Sequence, residues 1–321
     1  MMYNIGIDLG GTHIKVGLCN EAFEILDKDS VPTGAHRSGE EIVRDMATLS
    51  ERIIRRNHLE ISDIDCVGIA TPGTANGDTG VVEYANNLPF KDFPIADIFK
   101  KFLPVKRVVI ANDANAAALG EALGGCAKNA KSSIMVTLGT GVGGGIIIDG
   151  KIFSGCINYS GAEIGHTVIH AGGRLCSCGR RGCWEAYSSA SALTAMTKEK
   201  MKELASKGVP SLLFEYAESE GKVSARTAFD AKKAGDPYGA ELVRDYIHYL
   251  AIGITNMVNI FQPEVICLGG GVSNEKDDLV SPLSEIVNVE QYSRHGKVKT
   301  KIKIAELGND AGMVGAAGLG L

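Results

Sequence analysis

Residues 4–18 read NIGIDLGGTHIKVGL, an apolar run that ends in a glycine loop and resumes as alternating apolar residues. This pattern predicts a strand, the glycine loop DLGGTH at 8–13 and a second strand. Residues 133–152 repeat the plan, with the longer loop GTGVGGG at 139–145 and an Asp149-Gly150 turn into a third strand. Two copies of one unit, roughly 130 residues apart, indicate an internal duplication in which each copy begins a domain.

Strand and helix patterns alternate along the rest of the chain, which is typical of an α/β architecture. Predicted strands lie at 66–70, 105–111 and 265–268, and predicted helices at 40–56, 114–123, 188–206, 224–234 and 237–261, with a small-residue helix at 311–319 that would pack on the first domain. We expect a small N-terminal α/β domain of residues 1–112 and 305–321. Residues 113–304 would form a larger α/β domain.

The bulk composition excludes several classes of protein. The chain has 321 residues, of which 45% are hydrophobic, so it can build the cores of two domains. Its net charge of -5 provides no basic field for nucleic acid. Because the N-terminus enters a strand pattern and no segment resembles a signal peptide or a membrane span, we expect a cytoplasmic protein without membrane or nucleic-acid partners.

A cluster of metal-ligating residues follows the spacing H-x9-C-x-C-x4-C and comprises His166, Cys176, Cys178 and Cys183. One imidazole and three sulfurs complete a tetrahedral zinc site, which would be structural because no coordination position stays open. The alternative is a set of reduced core cysteines or a disulfide loop, but cysteines one residue apart bridge poorly and CSCGRRGC is too polar for a core. Glu163 precedes His166 by three residues, so on a helical turn the metal would also position a carboxylate.

The two glycine loops are candidate phosphate sites. Gly10 and Gly11 let the backbone approach an anion, Thr12 adds a hydroxyl, and Asp8 could hold a water on magnesium. By itself this loop could also be a tight hairpin. The second loop strengthens the phosphate interpretation because glycine fills five of its seven positions. Neither loop has the Walker A or dinucleotide-binding pattern.

Asn112 and Asp113 lie where a predicted strand ends and a helix begins. Asp113 could simply cap that helix, which is worth about 1 kcal/mol. A carboxylate at a strand end also faces the crevice where α/β proteins bind ligands. Position alone leaves both interpretations open.

The chain resembles the ROK family (repressor, open reading frame, kinase) of sugar kinases, within the actin/hexokinase-like ATPase superfamily. The resemblance covers essentially the whole chain, and bacterial ROK glucokinases have the most similar overall pattern. The matching motifs are DLGGTH at 8–13, IANDANAAALGE at 110–121, LGTGVGGG at 138–145, GAEIGH at 161–166, CSCGRRGCWE at 176–185 and LGGGV at 268–272.

This resemblance implies an actin/hexokinase-like (ribonuclease H-like) two-domain ATPase fold with a structural zinc site. It also implies a glucokinase (EC 2.7.1.2) that uses ATP and Mg²⁺ to phosphorylate a hexose at the 6-hydroxyl. Asp113 would be the general base. The sugar hydroxyls would contact Gly73, Asn87, Asn112, Asp113, Glu163, His166 and Glu185, with the second ring nitrogen of His166 on zinc. ATP phosphates and magnesium would lie against Asp8, Gly10, Gly11, Thr12, Thr140, Gly141 and Gly143, and the adenine side against Gly270 and Gly271.

Several alternatives remain at this stage. The hydroxyl ligands would be shared by kinases of N-acetylmannosamine, N-acetylglucosamine, mannose, fructose or allose, so selectivity rests on pocket shape. ROK repressors carry a DNA-binding domain ahead of the first glycine loop, which here begins at residue 8, so we expect an enzyme. A catalytically inactive sugar sensor is a further possibility. Phe90 stands where many relatives carry Trp, and His13 where Thr or Asn also occurs. Family members are commonly homodimers or homotetramers.

Overall fold

The computed structural model describes residues 2–155, 157 and 159–321. The strands are β1 Tyr3–Leu9, β2 His13–Cys19, β3 Ile25–Pro32, β4 Ile64–Thr71, β5 Thr74–Asn76, β6 Val81–Tyr84, β7 Lys91–Phe93, β8 Val108–Asn112, β9 Ser132–Leu138, β10 Val142–Ile148, β11 Lys151–Phe153, β12 Val265–Gly269 and β13 Lys301–Ile304. The α-helices are α1 Gly39–Arg56, α2 Ile95–Phe102, α3 Asp113–Gly124, α4 Glu185–Ser188, α5 Ala190–Ser206, α6 Leu212–Ser219, α7 Ala225–Lys233, α8 Pro237–Phe261, α9 Asp277–Glu290 and α10 Ala311–Ala317.

The described residues divide into two compact units. Unit 1 comprises 1–135, 145–162 and 305–321, and unit 2 comprises 136–144 and 163–304. These units are regions within which the chain packs compactly. A domain, in contrast, is a region that can fold independently. The domain limits expected at 112/113 and 304/305 therefore stay a prediction.

The first sheet has the order β3-β2-β1-β4-β8. Strand β1 pairs antiparallel with β2 and parallel with β4, and β4 pairs parallel with β8. The predicted strand, loop and strand of residues 4–18 are confirmed. Ile5, Ile7 and Leu9 alternate along β1 and are fully buried. They belong to a core that also takes in α1, which begins with a capping box at Ser38.

The second sheet repeats that plan in the order β11-β10-β9-β12-β13. Strands β10 and β11 are antiparallel, and β12 and β13 are parallel. Between β10 and β11, Asp149 and Gly150 have φ values of 49° and 74°, as a two-residue type I′ hairpin requires. The predicted repeat of the strand plan and the predicted Asp149-Gly150 turn are both confirmed, whereas the internal duplication inferred from the repeat stays a prediction.

Helix α10 packs directly on the backbone of unit 1. A Cβ atom on Gly6 of β1 would overlap the Met313 carbonyl oxygen, and one on Gly68 of β4 would overlap the Ala316 carbonyl oxygen. Only glycine permits so close an approach between strand and helix. The predicted small-residue helix therefore packs on the first sheet, as expected, although its α-helical part ends at Ala317.

Unit 2 is mostly helical, and its centre is the fully buried Trp184, which lies against Gly253 of α8. The single helix predicted at 188–206 is wrong in one detail. Ser189 has extended backbone angles and its hydroxyl accepts from the Ala192 N–H, so it caps α5 and separates that helix from α4. Among the residues described, none of the helices has the length and apolar character needed to cross a bilayer.

Candidate functional site

In unit 1, the candidate residues meet at the carboxyl ends of parallel strands. Asp8 of β1 pairs in register with Ala70 of β4, and Ala70 pairs with Ala111 of β8. With one strand between them, Asp8 and Ala111 are about 10 Å apart along the sheet. Asn112 and Asp113 follow directly. The fold therefore brings Asp8 and Asp113 to the same edge of the sheet, where open α/β sheets bind ligands.

Asn112, rather than Asp113, is the N-cap of α3. Strand β8 extends through Asn112, whose φ of -61° and ψ of 146° are those of an N-cap. Its Oδ1 accepts from the Ala114 N–H at 2.9 Å, and its Nδ2 donates to the Gly73 carbonyl at 3.1 Å. Asp113 is the first residue inside the helix, and its Oδ1 also accepts from the Ala114 N–H at 2.8 Å. The alternative that Asp113 is the N-cap of this helix is therefore wrong.

Asp8 forms an ion pair with the residue opposite it in the hairpin. Its Oδ2 lies 3.1 Å from Lys15 Nζ, and the Asp8 side chain is 20% exposed. The backbone of Gly312 lies close to this carboxylate, since a Cβ built there would be 3.0 Å from the Asp8 carboxyl carbon. A partly exposed carboxylate is an oxygen donor of the kind that magnesium takes, directly or through a water. The donor set at Asp8 therefore fits Mg²⁺.

The first glycine loop is fixed by its own backbone and by the chain beyond β3. The Gly10 N–H donates to the His13 carbonyl at 3.0 Å, and the Gly10 carbonyl accepts from Thr33 Oγ1 at 2.6 Å. The Thr12 carbonyl accepts from the Thr33 N–H at 2.9 Å. These contacts hold the turn between β1 and β2 in one conformation.

Two candidate sugar residues of unit 1 lie near this edge as well. Asn87 is exposed, and its Cβ would be 3.7 Å from a Cβ on Gly11. Gly73 has a φ of 90° and packs against the Tyr84 carbonyl, so it adopts a conformation suited to glycine. Phe90 is 2% exposed and stacks on Phe93 at 4.7 Å. Phe90, which stands where many relatives carry Trp, therefore lies in the hydrophobic core.

In unit 2, residues 139–141 alone connect β9 to β10, because β10 begins at Val142. The second glycine loop was predicted over 139–145, so the prediction is wrong for its last four residues, which belong to the strand. The Gly139 carbonyl accepts from the Ala190 N–H of α5 at 2.8 Å, and the Gly139 N–H donates to the Gly141 carbonyl at 3.1 Å. Gly270 has a φ of 84°, and a Cβ there would be 2.5 Å from the Leu138 carbonyl oxygen. The candidate residues Gly270 and Gly141 thus belong to one backbone cluster at the ends of β9 and β12.

Cavities in unit 2 border this loop. One of about 460 Å³ is lined by residues that include Thr140, Gly141, Ser177, Glu185 and Ser191. Another of about 490 Å³ shares Thr140 and Ser191 with it and extends to Lys198 and Ser224. The hydroxyl-rich lining beside Thr140 suits a polar ligand such as a nucleotide.

The four predicted metal ligands converge in space. The ligand atoms of His166, Cys176, Cys178 and Cys183 all lie within 4.8 Å of one another. Cys178 Sγ is 3.7 Å from Cys183 Sγ, and His166 Nδ1 is 3.6 Å from Cys176 Sγ. Two sulfurs bound tetrahedrally to zinc at about 2.3 Å would be about 3.8 Å apart. The cluster therefore fits a zinc ion, and no disulfide joins these cysteines.

The protonation of the thiols is uneven. Burial raises the pKa of Cys183 to about 12, whereas the backbone N–H of Arg180 lowers the pKa of Cys178 below its ordinary value. Coordination to a cation would convert such a thiol to a thiolate.

Glu163 lies one helical turn before the metal ligand His166, as predicted. Residues Ile164–His166 form a 3-10 turn, and the Glu163 carbonyl accepts from the His166 N–H at 3.1 Å. Glu163 is the N-cap of this turn, with a φ of -74° and a ψ of 61°, and it is exposed.

Glu185 contacts both the cysteine loop, which we define as residues 176–183, and the second glycine loop. Its Oε2 accepts from the Val142 N–H at 3.1 Å, and its Oε1 accepts from Ser177 Oγ at 2.8 Å. Sequence reasoning identified Glu185 but missed Ser177 and Val142. No spacing rule relates positions so far apart in the chain, and a serine between two cysteines has no distinctive pattern.

Comparisons with known proteins agree with this geometry. The family model described as "ROK family" matches residues 4–321. The chain is 36% identical to a glucokinase of Halalkalibacterium halodurans over 98% of this chain and 94% of that enzyme. It is 31% identical to a xylose repressor of Caldicellulosiruptor bescii, covering 97% of this chain and 76% of the repressor.

Solved structures extend the comparison to the fold. A ROK hexokinase from Thermus thermophilus is similar with a TM-score of 0.78 and 33% identity, covering 99% of this chain and 97% of that one. A ROK family glucokinase from Streptomyces griseus, in complex with glucose and AMPPNP, has a TM-score of 0.74 and 30% identity, covering 99% and 98%. The predicted actin/hexokinase-like α/β fold is confirmed, and the chain belongs to the ROK family.

Proposed function

We propose that this protein is an ATP-dependent hexokinase that transfers a phosphoryl group to the 6-hydroxyl of a hexose, with glucose as the preferred substrate. The observation that carries the proposal is the position of Asp113. This carboxylate stands at the junction of β8 and α3, at the sheet edge that also holds Asp8, in a chain similar over nearly its full length to glucokinases. The experiment that tests it is a sugar panel.

Asp113 is the proposed general base, which takes the proton from the sugar 6-hydroxyl as its oxygen attacks the γ-phosphate of ATP. Phosphoryl transfer depends on positioning and charge stabilisation more than on covalent chemistry. Sugar hydroxyls would be bound by Gly73, Asn87, Asn112, Glu163, His166 and Glu185. The ATP phosphates would lie against Gly10, Gly11, Thr12, Thr140, Gly141 and Gly143, with the adenine side near Gly270 and Gly271.

Two metal ions complete the proposal. Mg²⁺ bound to ATP neutralises phosphate charge, and Asp8 would hold it, directly or through a water. Zn²⁺ would be structural, held by His166, Cys176, Cys178 and Cys183. The fit of the four ligand atoms within 4.8 Å supports the zinc assignment.

The setting of the enzyme belongs to the same proposal. We place the kinase in the cytoplasm, in carbohydrate metabolism at the entry of glucose into glycolysis. The buried thiols of Cys66 and Cys267 form no disulfide, which agrees with a reducing compartment. A homodimer or homotetramer is proposed from family membership.

The test is a coupled assay with ATP and a panel of glucose, mannose, fructose, allose, N-acetylglucosamine and N-acetylmannosamine. Selectivity is read as kcat/KM for each sugar. We expect glucose to give the highest value. A clear preference for an N-acetyl sugar, fructose or allose would keep the kinase assignment and replace the substrate.

A second candidate, an inactive sugar sensor, is favoured by the similarity to a xylose repressor at 31% identity. The same panel distinguishes the two. Hexose binding measured by calorimetry, together with no turnover of any sugar, would support the sensor and contradict the kinase.

A further inference from the structure

Glu185 is supported from both sides by donors that belong to different segments. The Val142 N–H of the second glycine loop donates to Oε2, and the Ser177 hydroxyl of the cysteine loop donates to Oε1. A carboxylate that accepts on both oxygens is held in one orientation, and bonds to an ionised acceptor are stronger than neutral ones. Glu185 therefore transmits the position of the cysteine loop to the glycine loop.

The backbone of Gly141 blocks the movement of Glu185 toward the glycine loop. A Cβ atom built on Gly141 would overlap Glu185 Oε2, so the backbone at Gly141 lies directly on the carboxylate. A rotation of this side chain would strike Gly141 or release the Val142 N–H. The conformation of residues 141–142 is thus coupled to the orientation of Glu185.

Ser177 is the nearer of two possible donors to Glu185 Oε1. The Ser177 hydroxyl oxygen lies 2.8 Å from Oε1, whereas Cys176 Sγ lies 3.5 Å from it. A hydroxyl is also a stronger donor than a thiol, so the hydroxyl of Ser177 is the group that fixes Oε1.

We propose that Ser177 is a positioning residue that acts through Glu185 on the second glycine loop, so that nucleotide binding depends on the orientation set by the cysteine loop. This rests on the proposed function, because it takes residues 139–145 to bind ATP phosphates. Loss of the Ser177 hydroxyl would loosen Oε1, weaken the bond to the Val142 N–H and widen the range of conformations at Gly141.

The test compares Ser177→Ala with wild type by calorimetric titration of Mg²⁺ and AMPPNP. We expect Kd to rise about 3- to 10-fold, which is the size of the net contribution of one typical hydrogen bond. KM for ATP should rise by a similar factor with a smaller change in kcat. Hydrogen exchange of a peptide covering 139–145, measured without nucleotide, should become faster.

Matched variants separate positioning from general damage. Ser177→Thr keeps a hydroxyl and should restore Kd to within about 2-fold of wild type. Ser206→Ala removes an exposed hydroxyl that donates to the Glu203 carbonyl, and it should change neither Kd nor exchange. Zinc content, measured by elemental analysis, should be the same in all four proteins.

The outcomes distinguish a failure of the Ser177 inference from a failure of the proposed function. If wild type binds AMPPNP and Ser177→Ala binds it equally well with unchanged exchange at 139–145, the inference is wrong and the kinase assignment stands. A fall in zinc content that parallels the loss of affinity would also overturn it. If wild type does not bind AMPPNP, the phosphate-loop assignment fails, and faster exchange in Ser177→Ala would still report the Glu185 contact.

Discussion

At the scale of single residues, the proposed reaction depends most strongly on Asp113, the proposed general base at the edge of the first sheet. We expect Asp113→Asn to lower kcat about 100-fold or more, because the amide cannot take a proton from the sugar hydroxyl. Binding of the sugar should change little, since the amide has nearly the same shape and keeps an oxygen for the Ala114 N–H. Turnover by coupled assay and sugar affinity by calorimetry measure the two effects separately.

Asp97→Asn is the matched control, because Asp97 also lies in the first turn of a helix and is exposed. It should retain wild-type turnover. If Asp113→Asn turned over glucose at a rate near that of wild type, the general-base role would have to be abandoned.

At the scale of elements, Asp236 joins α8 to the start of α6. Burial raises the pKa of Asp236, but donors from the backbone of Gly239, Leu212 and Tyr238 and from the Ser211 hydroxyl outweigh it, so the pKa lies below its ordinary value. These bonds measure 2.8 to 2.9 Å. The ionised carboxylate is therefore the form that the fold stabilises.

The sign of the pH dependence follows from the lowered pKa. The stability that ionised Asp236 contributes is fully present above the unfolded pKa, about 3.9, and is lost as the pH falls through the lower folded pKa. We expect Asp236→Asn to cost about 1 to 2 kcal/mol at pH 7 and progressively less below about pH 4. Urea unfolding of both proteins at pH 7 and pH 3 measures this. An equal cost at both values would contradict the assignment.

We expect the structure of the cysteine loop to depend on a bound metal. Short bridges between Val168 and Cys183 and between Leu175 and Arg181 are the β-pairings described for it. We expect Cys178→Ser to bind much less zinc than wild type and to melt at a lower temperature, because structural zinc contributes directly to folding. Cys126→Ala, which changes a buried cysteine outside the cluster, should keep its zinc.

Elemental analysis of protein purified without added zinc gives the metal content per chain. A wild-type protein that folds normally with far less than one zinc per chain would show that the cluster is not a zinc site.

At the scale of the whole molecule, the buried carboxylate of Glu121 on α3 holds the segment of chain that follows β13. Glu121 is fully buried and accepts from the N–H groups of Cys126, Glu306 and Leu307 at 2.9, 3.1 and 2.8 Å. We expect Glu121→Gln to destabilise the protein by about 2 kcal/mol, because its NH₂ group must face a backbone donor. Urea denaturation measures the change. Glu285→Gln, at an exposed position on α9, should alter the stability by less than about 0.5 kcal/mol, and an equally small effect at Glu121 would contradict the prediction.

Local patterns predicted much of this fold. Helix α8 was predicted with its observed limits, because Asp236 and Pro237 are an N-cap and a first helical residue followed by periodic apolar positions. The break at Ser189 was missed, since serine is tolerated inside a helix and its capping bond depends on the local backbone. Asn112 and Asp113 are both good caps, so their order could not be decided without the end of β8.

Only those parts of the candidate site that lie within sequence motifs were predicted. The four metal ligands are close in sequence, and their convergence followed from spacing alone. The bonds of Glu185 to Val142 and Ser177 join segments that only the tertiary structure brings together. The same holds for Lys15 and Asp8, whose ion pair depends on the register of β1 and β2.

The close packing of α10 on the first sheet has a consequence for biosynthesis. Met313 and Ala316 leave the ribosome after Gly6 and Gly68, whose backbones they cover. The nascent sheet is thus exposed to misassembly until α10 has been synthesised, and unit 1 closes only after translation has passed residue 317.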